Sequence, residues 1–327
     1  MNHKSTLPDT EAAIQQWLQH LQSEQAAADT IAAYRRDLAH LTRLYPLPSP
    51  ARYAPNHLQF ALGQLQAEGI QARSLARMLS AWRNFFNWFS QHYQTNYNPT
   101  LHLRAPSGPI PAPKILSITH TEKLLNAIPD KDADAVAWRD QAMFELLYSS
   151  GLRLAELVAL DTHPFQTPHY QSKAWVDLET AEVTIHTKEE RQRTLPIGSK
   201  AITALKKWLD KRAELVSPAV LHSPLTDMDS AAALFLGVRG QRISPRVIQK
   251  QLQQRAQQVG IPKPVFPHRL RNSFANHLLE SSNDTQGVQQ LLGHANISST
   301  QSLSQLSDEQ RAQFFKLHPR HQRPPET

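Results

Sequence analysis

The sequence predicts an α-rich protein of two domains. The first is an N-terminal four-helix bundle; the second is a mixed α/β domain, mainly α with a small antiparallel sheet. Three observations predict this. Apolar residues recur at helical spacing over residues 8–104. The stretch "APSGPIPAPK" at 105–114 then interrupts the chain with Pro106, Pro109, Pro111 and Pro113, which no helix tolerates. Beyond it, helical patterns alternate with short strand-like runs. These bounds give domains at 8–104 and 117–327 with a stiff, extended linker over 105–116.

In the first domain, Ile14, Trp17, Leu18 and Leu21 mark one helix, and Ile31, Tyr34, Leu38 and Leu41 a second. Leu58, Ala61 and Leu65 mark a third, stopped by Gly69, and Leu75, Met78, Leu79, Trp82, Phe85, Phe86 and Phe89 a longer fourth. Four such helices form a small bundle. Arg35, Arg36, Arg73 and Arg77 lie off the apolar stripes, either as a solvated face or as phosphate contacts. In the second domain, "THTEKLLNAI" opens a helix with Thr119 and Glu122 at capping-box spacing. Met143, Leu146 and Leu147 face a core, and Gly151 ends their helix. "AWVDL" (174–178), "AEVTIHT" (181–187) and "RTLPIG" read as strands, the last two joined by a charged turn. A helix starts at Ser244 with Pro245 as its first residue and closes at Gly260. Arg242, Arg246 and Lys250 lie on and before it, a basic stripe well placed for phosphates.

Composition narrows the function. Lys plus Arg is 35 against 28 Asp plus Glu, a formal charge of +7. The isoelectric point near 9.6 lies in the range of nucleic-acid binders. There is no cysteine, which excludes disulfides, thiolate metal sites and cysteine nucleophiles and fits a cytoplasmic protein. No run of about 18 apolar residues is present, so no membrane partner is expected, and "MNHKSTLPDTEAAIQQW" lacks the order of a signal peptide. Sixteen histidines invite a zinc site, but no H-E-x-x-H spacing occurs, and no Gly-rich phosphate loop is present.

The segment "PHRLRNSFANHLL" (267–279) carries the chemistry. Leu270, Phe274 and Leu278 make one apolar face, and His268 and Arg271 sit in a row along its edge. A guanidinium there is costly unless paired. Its helical neighbours Pro267, His268, Phe274 and Ala275 include no acid. A carboxylate distant in sequence or an external anion must therefore serve, and a guanidinium fork matches two phosphate oxygens. Arg153 follows the Gly151 turn in "SSGLRLAELVAL", Lys188 ends the strand "VTIHT", and His294 follows "VQQLLG". Together the five would neutralise a phosphodiester as it becomes pentacoordinate and pass a proton to the leaving oxygen.

"GLRLAELVAL", "HRLRNSFANHLLES" and "VQQLLGHANISSTQ" resemble the three signature segments of the tyrosine recombinases, the phage integrase family, and among them the bacterial Xer recombinases of the XerC type. "TIAAYRRDL" and "LSAWRNFFNWF" resemble the family's N-terminal, SAM-like DNA-clamping domain. The resemblance implies site-specific recombination on double-stranded DNA, as in chromosome dimer resolution with a XerD-like partner in a heterotetramer, and no metal or other cofactor. It assigns Arg153 and Arg271 to the scissile phosphate, Lys188 to the departing 5′ oxygen, His268 to general acid/base work and His294 to a further hydrogen bond on the phosphate.

One element departs from the pattern. The family's tyrosine nucleophile falls nine residues after the histidine of L-L-G-H, where this chain has Leu303. The last tyrosine in the sequence is Tyr170. The open explanations are a DNA-binding relative that no longer cleaves, an altered form of a working recombinase, a tyrosine supplied in trans by a neighbouring subunit, or attack by Ser302 or Ser304. The apolar cluster Phe314, Phe315 and Leu317 marks a last helix, which docks on a neighbouring subunit in the family or packs on its own domain. The tail "HPRHQRPPET" is expected to be mobile.

Overall fold

The structure, a computed structural model, describes residues 7–95, 97–106, 115–186, 192–217 and 227–292, together with Leu317 and Arg320. It contains two compact units, Met1–Pro111 and Ala112–Thr327.

In the first unit, α1 (Thr10–Ser23), α2 (Ala28–Leu44), α3 (Pro55–Ala67) and α4 (Ala72–His92) form a bundle, with a single 3-10 turn at Pro50–Arg52. Asp9 caps α1 by accepting from the Ala12 amide at 2.7 Å. Gly69 ends α3 with φ +89, a left-handed conformation that glycine adopts without strain. The predicted stripes meet inside: Trp17, Leu38, Leu58, Leu65, Trp82, Phe85 and Phe89 are buried, and Trp17 stacks on Tyr34 at 5.4 Å. The tryptophan Trp82 also donates to the Asp37 carbonyl at 2.8 Å.

The second unit is built round α6 (Ala135–Ser149), which packs against α8 (Ser199–Arg212), α10 (Pro245–Gln258) and α11 (Pro267–Ser282). The other α-helices among the described residues are α5 (Ile118–Leu125), α7 (Leu154–Val158), α9 (Met228–Ala232) and α12 (Thr285–Leu292). Ser117, and not Thr119 as the sequence suggests, caps α5 by accepting from the His120 amide at 3.2 Å. Ser244 caps α10 as predicted, accepting from the Val247 amide at 3.4 Å.

The predicted strands are β4 (Ala174–Asp177), β5 (Glu182–His186) and β6 (Gln192–Pro196), with β5 between the other two and antiparallel to both. The sheet is mixed rather than purely antiparallel, because β1 (Leu160–Asp161) adds a parallel edge to β4. A two-residue strand has too little pattern to be read from sequence. Short β2 (Gln166–Thr167) and β3 (Tyr170–Gln171) pair separately. Register sets Arg193 of β6 opposite Ile185 of β5.

Two features fix the frame round α11. Arg269, Ser273 and His277, spaced four apart on one face, hold the chain just before α5. Arg269 donates to the Ile115 carbonyl at 3.1 Å, Ser273 accepts from the Leu116 amide at 2.8 Å, and His277 Nε2 meets the Leu116 carbonyl at 3.0 Å. That carbonyl only accepts, so Nε2 carries the proton and Nδ1 accepts from the Tyr148 hydroxyl at 2.8 Å. The other feature corrects the expected mobility of the tail at one residue. Arg320 is buried, and its guanidinium pairs with buried Glu145 and donates to Asn126 Oδ1 at 2.6 Å.

Burial holds the His277 imidazole below its ordinary value of 6.5, opposed by the Leu116 carbonyl and Glu280. The unfolded chain therefore takes up a proton near pH 6.5 while the native one does not, so stability falls with pH from there down to the lower native value. The loss is about 1.4 kcal/mol per unit of separation. Denaturant midpoints at pH 7.5, 6 and 5 are expected to show the wild-type advantage over His277→Gln shrinking as pH falls; a constant gap would contradict the neutral assignment.

Candidate phosphate-binding site

The site begins at Gly151, whose φ of +57 turns the chain out of α6. A Cβ here would lie 2.6 Å from the Phe274 ring and 2.7 Å from a Leu292 methyl, so glycine is required for space as well as for conformation. The turn makes Arg153 the residue before α7. Its backbone N–H donates to Glu156 Oε2 at 2.7 Å, and its guanidinium to Oε1 at 2.8 Å.

Arg271 on α11 is buried, at 3% exposure. It donates to the Gly151 and Leu292 carbonyls and stands 3.8 Å from Glu156 Oε2. Burial pulls this guanidinium down to about 10, with Arg153 and Arg193 adding to the shift and Glu156 opposing it. It stays charged at neutral pH. Arg193 on β6 completes the group, donating to Glu156 Oε1 at 2.9 Å and to the Leu292 carbonyl at 2.6 Å. Among the described residues, one carboxylate thus pairs with three guanidiniums. The distant acid that the sequence left open is Glu156.

A cleft of about 410 Å³ opens over these groups, lined by Arg153, Leu154, Gln249, Phe266, Pro267, His268 and Arg271. Three of the predicted residues, Arg153, His268 and Arg271, therefore share one cavity. His268 is exposed in the first turn of α11, and Phe266, 47% exposed, stands at the rim. Two guanidinium forks and an imidazole on one concave surface suit a phosphate group, with the apolar walls of Leu154, Phe266 and Pro267 beside it. Lys188, His294 and Leu303 lie outside the described residues. Among the described residues no cluster of His, Asp and Glu suits a metal ion.

The wider basic residues divide. Arg35, Arg36 and Arg73 are exposed on α2 and α4, and Arg246 and Lys250 on α10. Arg77 is exposed but its guanidinium pairs with buried Asp37 of the same bundle. Arg242, predicted as a DNA contact, is instead a partly buried structural tie. It bonds Asp161 at 2.7 Å, Asp229 at 2.8 Å and the Val158 carbonyl at 2.9 Å, with its side chain 13% exposed. Alanine at Arg246 or Lys250 is expected to weaken duplex binding evenly across sequences and to lower the salt slope by about 1 each. Arg242→Ala is expected to cost about 3 kcal/mol of stability, seen as a lowered melting temperature, before it affects DNA affinity. Titrations at several salt concentrations beside thermal melts check both.

Sequence reasoning missed Glu156 and Arg193. The Arg153–Glu156 spacing of three was a legible signal; nothing local marks Arg193.

Two family models match the chain. The model described as "Phage integrase family" matches residues 115–310, and "Phage integrase, N-terminal SAM-like domain" matches residues 14–92. Tyrosine recombinase XerC 1 of Ralstonia nicotianae is 41% identical over 302 residues, covering 89% of this chain and 88% of that protein. Tyrosine recombinase XerC of Azotobacter vinelandii is 38% identical over 323 residues, covering 96% and 98%. Two solved structures share the fold at low identity. XerH site-specific recombinase bound to palindromic difH substrate, a post-cleavage complex, has a TM-score of 0.64 at 20% identity, covering 83% of this chain and 75% of that one. A lambda integrase tetramer bound to a Holliday junction has a TM-score of 0.64 at 16% identity, covering 93% and 82%. With its helical N-terminal unit and its arginine cleft, the chain belongs to the phage integrase family, the tyrosine recombinases, and is XerC-like.

Proposed function

We propose that this chain is a subunit of a site-specific recombination complex on duplex DNA, working with a XerD-like partner in a heterotetramer, as in chromosome dimer resolution. The observation that carries the reading is the convergence of Arg153, Arg271 and His268 on one cleft. The two guanidiniums neutralise the non-bridging oxygens of the scissile phosphate as a fifth oxygen approaches phosphorus. Lys188 gives its proton to the 5′ oxygen as that P–O bond breaks, His268 accepts the proton of a tyrosine hydroxyl supplied in trans by a neighbouring subunit, whose oxygen forms the new bond to phosphorus, and His294 adds a hydrogen bond to the phosphate. Exposed Arg35, Arg36, Arg73, Arg246 and Lys250 supply salt-sensitive affinity through the backbone.

Leu303 favours a second reading, in which the chain binds and shapes the synapse while the partner cuts. The wild-type protein is incubated with a nicked duplex selected on the protein from random sequence, then run on a denaturing gel. A covalent adduct supports cleavage by this chain, and mapping it names the nucleophile. Tight, sequence-specific binding without an adduct supports the non-cleaving subunit. Binding that is indifferent to sequence would sink both.

A further inference from the structure

We propose that Arg193 is a positioning residue for the cleft, tying Glu156 on α7 to the last carbonyl of α12. The proposal rests on the reading of the cleft as a phosphate site. Arg193 does not line the cavity, so it acts through what it holds. Its side chain is 15% exposed, and its Nε finds no hydrogen-bond partner among the described residues. Burial lowers its affinity for the proton, with Arg153 adding to the effect and Glu156 opposing it. A strand position that only filled space would be served better by an apolar side chain.

The two groups it grips explain the expense. Glu156 Oε1 is shared between Arg193 and Arg153, at 2.9 and 2.8 Å. Without Arg193, the carboxylate's charge falls on Arg153 and Arg271 alone and competes with an incoming anion for both. The Leu292 carbonyl takes donors from both Arg193 and Arg271, which fixes the end of α12 relative to the buried arginine. His294 follows two residues later in the chain, and Lys188 precedes Arg193 by five. One planar fork therefore relates the strand that follows Lys188 in the chain, the carboxylate beside Arg153 and the helix that precedes His294.

The test uses the full chain labelled with 13C-histidine and titrated with inorganic phosphate. The His268 resonance, assigned with His268→Gln, reports occupancy of the cleft. Arg193→Met is expected to weaken phosphate about 5–10-fold. Arg193→Lys is expected to weaken it nearly as much, since an ammonium keeps the charge but cannot span both acceptors. Thermal melts establish that each variant is folded, and Arg193→Lys serves if the methionine variant is not. Wild-type affinity in Arg193→Lys would make Arg193 a mere charge and overturn the proposal, as would unchanged affinity in Arg193→Met. A wild-type chain whose His268 ignores phosphate would overturn the phosphate reading and this proposal with it.

Discussion

Arg271→Ala will lose stability and phosphate-dependent DNA affinity together. Truncation leaves the Gly151 carbonyl without its guanidinium donor, the Leu292 carbonyl with Arg193 alone, and Glu156 with one cation fewer. Each buried acceptor left without a partner costs about 1–3 kcal/mol, and breaking a buried ionic cluster about 3–5 kcal/mol. A loss of about 3–4 kcal/mol is therefore expected, a large share of the stability of an ordinary domain. The same side chain reaches the cleft, where a charge-assisted bond to phosphate is worth about 1.5–3 kcal/mol, or about 10–100-fold in affinity. Arg271→Lys should keep the charge but recover little of either, because one ammonium cannot face two carbonyls and a phosphate at once. Denaturant midpoints give the first quantity, and duplex titration at fixed salt, below the unfolding range, gives the second. A destabilised variant that binds the selected duplex as tightly as wild type would make Arg271 a structural tie alone.

The bundle was legible because each of its helices has one apolar face, and Trp17, Leu38, Leu58 and Trp82 fall on those faces. The central helix of the second unit was legible only in part. It is buried nearly all round, with Arg139, Asp140, Gln141 and Glu145 inside, so periodicity picked out Met143, Leu146 and Leu147 and passed over the rest. Asp140 pairs with its neighbour Arg139, but the other groups find partners far off in sequence: Arg139 the Leu236 carbonyl, Glu145 Arg320, and Gln141 the Leu125 carbonyl, to which it donates. The same distance explains the site. Arg153, His268 and Arg271, which line one cleft, stand out in the sequence because each sits at the edge of an apolar element, and a charge there asks for a partner. Arg193 reaches Glu156 across 37 residues of sequence, which no local pattern encodes. Arg242 was misread for the converse reason. It stands in a basic run, but Asp161 lies 81 residues away and takes up its charge. A run of like charges shows where cations are in the chain, not which of them are already paired.

Leu303→Tyr is the substitution with the largest expected gain. The arginines and His268 can polarise a phosphodiester, but without an oxygen nucleophile nothing forms a bond to phosphorus. A phenol is suited to both directions of the reaction, since its pKa near 10 makes phenolate an adequate nucleophile and a good leaving group. On the nicked selected duplex, wild type is expected to give no adduct on its own and Leu303→Tyr a covalent 3′-phosphotyrosyl adduct, visible as a slower band on a denaturing gel. Adding Arg271→Lys to Leu303→Tyr should cut the rate about 10²–10³-fold, the usual effect of losing a donor to the transition-state phosphate. An adduct with wild type alone would direct attention to Ser302 or Ser304, because no tyrosine follows Tyr170. An adduct that needs a XerD-like partner and maps to that partner's tyrosine would mean that this chain's cleft works on a nucleophile it does not own. Failure of Leu303→Tyr to react, with duplex binding intact, would show that the site has lost more than its phenol and that the non-cleaving role is the true one.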